Sequence, residues 1–75
     1  MNISEMQIEV ERQLEIKKRF NRSIAITHER INAVIDMVCR DMKTMRPHKV
    51  DFFNKVGDLL DRQYVYKENV IDNGN

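Results

Sequence analysis

Tryptophan is missing from this 75-residue chain, cysteine and proline occur once each, and glycine only twice. A lone cysteine, Cys39, excludes an intramolecular disulfide. His28 and His48 stand with Cys39 at no zinc-ligand spacing, so neither a structural nor a catalytic metal is expected. No glycine-rich phosphate loop, nucleophile elbow or Ser–His–Asp arrangement is present, and the expectation is a non-enzyme without a cofactor. Long apolar runs are absent as well, far short of the roughly 20 residues a membrane helix needs. No early basic flank leads into an apolar run, so a secretory signal is not expected either. A cytoplasmic protein with reduced Cys39 is the resulting expectation.

A chain this short buries a small core and usually adds a disulfide, a metal or a partner subunit. With the first two removed, a homodimer is expected.

Charge is abundant, at 33% of residues, and unevenly laid out although the net value is only +1. Residues 1–16 sum to −3, residues 17–30 to +4, residues 31–49 to +2 and residues 50–75 to −2. Basic side chains thus concentrate in the middle of the chain, as they would on a polyanion-facing surface. A solvated charged face accounts for the same layout.

Helical signals dominate the rest. Ser4 and Gln7 have capping-box spacing, with Ile3 and Ile8 as a hydrophobic staple, and good helix formers continue to about Lys18. Ile3, Met6, Val10 and Leu14 make a narrow stripe there, with Ile8 and Ile16 off it. In Arg19–Ile26, by contrast, Ile24 and Ile26 alternate with Ser23 and Ala25, which predicts a short strand. Thr27 reads as an N-cap. Ile31, Val34, Ile35, Val38, Met42 and Met45 then follow at steps of three and four, an amphipathic helix that Pro47 ends. A further helix carries Phe52, Phe53, Val56, Leu59 and Leu60, with Asp51 near its positive end. Gly57 interrupts it, and residues 67–75 read as a flexible tail.

A strand, a capped helix, a short turn and a second helix, carried by SIAITHERI and KVDFFNKVGDLLDR, resemble the ribbon-helix-helix family of dimeric DNA-binding regulators over residues 19–64. The resemblance implies a mainly α fold in which one strand pairs across a homodimer, with residues 1–18 as an N-terminal helical extension and 19–66 as the binding domain. It implies a transcriptional repressor, plasmid-maintenance factor or antitoxin that reads double-stranded DNA in the major groove. By position, Asn21, Ser23 and Ala25 would face the bases, while Arg46, His48 and Lys49 would hold phosphate at the start of the second helix. Residues 1–18, outside the family's core pattern, would extend the dimer interface or bind a second protein.

The competing expectation is an all-helical protein-interaction module, such as a small viral or plasmid-borne inhibitor of a host protein. Residues 20–26 discriminate the two: a strand favours DNA, and helical continuation favours the module.

Overall fold

A computed structural model describes residues 1–65. It contains three helices, α1 (Ile3–Lys18), α2 (His28–Met42) and α3 (Lys49–Leu60), the last running on into a π-helical turn over Asp61–Val65. The tail expected at 67–75 lies outside the described residues.

The first two helices begin where a side chain satisfies free backbone donors. At α1 the cap is Asn2, not Ser4: the Asn2 carboxamide accepts from the Glu5 N–H at 2.9 Å and the Glu5 carboxylate accepts from the Asn2 N–H at 3.0 Å. Thr27 caps α2 as its position predicts, its hydroxyl accepting from the Arg30 N–H at 3.1 Å. Lys43 then adopts a left-handed conformation, φ 59°, and closes α2 at Met42. That turn leaves Met45 73% exposed instead of extending the stripe.

The helices pack pairwise around one core. Met6, Val10 and Leu14 of α1, Ile31, Val34, Ile35, Val38 and Cys39 of α2, and Phe52, Val56 and Leu60 of α3 are buried together, with Ile24 from the loop between α1 and α2. Residues 1–18 therefore share a core with the rest of the bundle. Pairings along the seams fix the directions. Met6 Sδ lies 3.9 Å from Cys39 Sγ near the end of α2, while Gln13 donates to the Phe53 carbonyl and Lys17 pairs with Asp61 on the α3 side. Hence α1 runs antiparallel to α2 and parallel to α3.

The mainly α class holds, but the ribbon-helix-helix architecture does not: among the described residues there is no strand. The reason is local. The Asn21 carboxamide oxygen accepts from both the N–H and the hydroxyl of Ser23, at 3.1 and 2.6 Å, and the Ile24 N–H bonds to the Asn21 carbonyl at 3.3 Å. Asn and Ser side chains that bond to their own backbone offer the chain a turn in place of a ladder. Ile24, only 4% exposed, anchors in its own chain's core, where a ribbon would have placed it against a second chain.

Candidate nucleic-acid interface

The loop between α1 and α2 is basic and carries no acidic residue. From Ile16 to His28 the sequence contains Lys17, Lys18, Arg19 and Arg22 and no acid. The end of α1 sets its base: the N–H groups of both Phe20 and Asn21 bond to the Lys17 carbonyl at 3.0 Å. The Lys17 ammonium pairs with Asp61 and so ties the loop to the far end of α3. The Arg30 guanidinium donates to the Tyr64 hydroxyl at 2.5 Å. The Asn21–Ser23 turn and the buried Ile24 then hold the middle of the loop. Phe20, Asn21, Ser23 and Ile24 are thereby held by bonds within the chain.

Lys18, Arg19 and Arg22 are exposed and make no ion pair among the described residues. Between them projects Phe20, 76% exposed, the most exposed large apolar side chain of the described residues. Three exposed cations flanking an exposed aromatic residue along the chain suit a polyanion that also offers flat apolar faces.

The six residues named from the family resemblance divide between two ends of the molecule. Asn21 is half-buried, and its carboxamide oxygen is occupied by Ser23; Ser23 and Ala25 are exposed on the loop. Arg46, His48 and Lys49 are exposed around the turn into α3. That turn sits beside the start of α1, because the Met1 amino group donates to the Pro47 carbonyl at 3.1 Å. Asn21 follows the other end of α1, whose 16 residues separate the groups by about 24 Å. Within one chain the two sets are not brought together. His48 caps α3 without a side-chain hydrogen bond, and the Lys49 ammonium lies 5.7 Å from the centroid of the Phe53 ring. The Arg12 guanidinium stands 6.0 Å from the same ring while pairing with the buried Glu9 at 3.1 Å.

Lys18, Arg19, Phe20 and Arg22 lie outside the set of residues that the family resemblance names. The signal was there, in an acid-free basic run with an aromatic inside it, but the predicted strand drew attention to the alternating positions after it.

A second concave surface lies between α2 and α3. It has a volume of about 420 Å³, with Met37, Val38 and Leu59 as its apolar lining and Arg40, Asp58 and Arg62 at its rim. A salt bridge of 2.7 Å between Asp41 and Lys55 spans it. The hydrogen bond and charge of Lys55 hold the Asp41 carboxyl below its usual range. Among the described residues, no three His, Cys, Asp or Glu side chains are placed to hold a metal ion. Nor is any helix there long and apolar enough to cross a membrane. Comparison of the chain with protein families, curated proteins and solved structures finds no match to any of them.

Proposed function

We propose that this chain is a small non-catalytic nucleic-acid-binding protein that contacts its ligand through the loop between α1 and α2. One observation carries the reading: the exposed Lys18, Arg19 and Arg22 flank the exposed Phe20 along a stretch of chain without a single acidic residue. Cations that already have partners gain little from a phosphate, whereas these three would release condensed counterions when they bind one. The earlier route to duplex recognition through a two-stranded ribbon falls with the strand.

Binding should be measured by fluorescence anisotropy with labelled oligonucleotides at about 50 mM salt, where non-specific affinities in the micromolar range become visible. Replacing Lys18, Arg19 and Arg22 together by Ala should abolish most binding. In single replacements, each lost phosphate contact should shallow the log–log salt slope by about 0.7 to 0.9. Unchanged affinity and slope in the triple variant would remove the loop from consideration.

A second reading, a helical protein-interaction module, draws on the groove between α2 and α3. Its apolar lining, with Arg40, Asp58 and Arg62 as charged neighbours beside the Asp41–Lys55 pair, fits an amphipathic helix whose apolar stripe is flanked by charges of both signs. Met37→Glu and Leu59→Glu would block such a helix and leave oligonucleotide binding intact.

A further inference from the structure

We infer that the loop's ligand is a single-stranded or unpaired segment, one of whose bases stacks on the Phe20 ring. This inference rests on the nucleic-acid reading above. Cations alone would serve any polyanion, so the ring is the informative part. A phenylalanine 76% exposed beside Lys18, Arg19 and Arg22 offers a face that a phosphate does not use and an unpaired base does. Base–aromatic stacking tolerates any sequence, because every base has a π-face.

Two features argue against a duplex. Reading a major groove requires a helix or ribbon that enters it with basic flanks. Here α1, the helix leading into the loop, exposes Glu5, Glu11 and Glu15 along its outer side. A rigid duplex lying beyond the loop along that side would meet these acids, whereas a flexible single strand can engage the loop and turn away. The same acids oppose an anionic bilayer, for which one aromatic side chain is a slight anchor. The ordering of the loop by Asn21, Ser23 and Ile24 means that little conformational freedom is lost when a base docks.

The absence of tryptophan makes a direct test possible. Phe20→Trp gives the full chain a single indole reporter in the loop. The probes are an oligothymidylate of about ten nucleotides, a duplex of matched length, and vesicles of phosphatidylcholine with phosphatidylserine. The oligothymidylate should quench the indole emission. In the otherwise unaltered chain, Phe20→Ala should weaken oligothymidylate binding by roughly 5- to 150-fold, with duplex binding within about twofold and an unchanged melting curve. Equal binding of single strand and duplex, with neither altered in Phe20→Ala, would overturn the stacking inference and leave the cationic reading in place. Failure of the unaltered chain to bind any oligonucleotide would overturn both. Blue-shifted emission with anionic vesicles, in the absence of oligonucleotide binding, would replace nucleic acid by a membrane surface.

Discussion

A Cβ at Gly57 would stand 3.5 Å from Oε1 of Gln13, across the seam between α1 and α3. This is ordinary contact, and the Gln13 amide nitrogen is turned to Glu9 and to the Phe53 carbonyl, at 3.0 and 3.2 Å. Close helix approach therefore does not require glycine here, nor does a positive φ. Gly57→Ala should stabilise the fold by about 1 kcal/mol, the helix-interior difference between the two residues. The urea midpoint checks it, and a lowered midpoint would mean that Gln13 has to give up its bonds to make room.

Leu14 is fully buried whereas Ile8, on the same helix, is 67% exposed. Leu14→Ala should cost about 2–5 kcal/mol and Ile8→Ala less than about 0.5. Equilibrium denaturation of both variants separates the two faces of α1. Similar losses at the two sites would mean that α1 packs through a different face.

Thr27→Ala should destabilise the fold by about 1 kcal/mol, because the hydroxyl satisfies the Arg30 N–H at the start of α2. Thr27→Ser should recover most of the loss in a thermal melt. If Ser fared no better than Ala, the methyl group rather than the cap would be what matters.

Burial, and after it the Asp36 carboxylate, pushes the Cys39 thiol above its usual range. A raised folded-state pKa contributes stability that is complete below the unfolded value of about 8.5 and is lost as the pH rises through the folded value. Stability should thus fall as the pH rises above about 8.5, and Cys39→Ala should lessen that fall. In the native protein the thiol should be alkylated only as fast as the chain opens. Rapid alkylation without unfolding would contradict its burial.

Much of the bundle was legible because helical periodicity is dictated by burial itself. Ile31, Val34, Ile35 and Val38, and then Phe52, Val56 and Leu60, occupy the interior that their spacing demands. The ribbon was misread for a physical reason. Ile24 is buried and Ala25 exposed, as the alternation requires, yet a strand is defined by a neighbour's hydrogen bonds, and those of Asn21 and Ser23 are used within the loop. The start of α1 was shifted because Asn2–Glu5 and Ser4–Gln7 share the same capping spacing. The end of α2 depended on a left-handed Lys43, a conformation that side chains other than Gly and Asn seldom adopt. At the candidate site the positive charges could be counted from the sequence. Which of them are spent inside the molecule could not, since the Lys17–Asp61 pair and the Lys49–Phe53 stack exist only once α1 and α3 have met.

Because α1 closes against both α2 and α3, the loop that joins it to them is also a tether. Cutting the chain at Arg19 or Arg22 would leave a peptide and a two-helix remnant, each with an uncovered apolar stripe. Reassembly would then depend on concentration, where the intact chain enjoys an effective concentration in the millimolar range. Trypsin, which cleaves after Lys and Arg, has its substrates in this loop beside Phe20. A ligand seated there would shield the covalent link on which the unity of the fold depends.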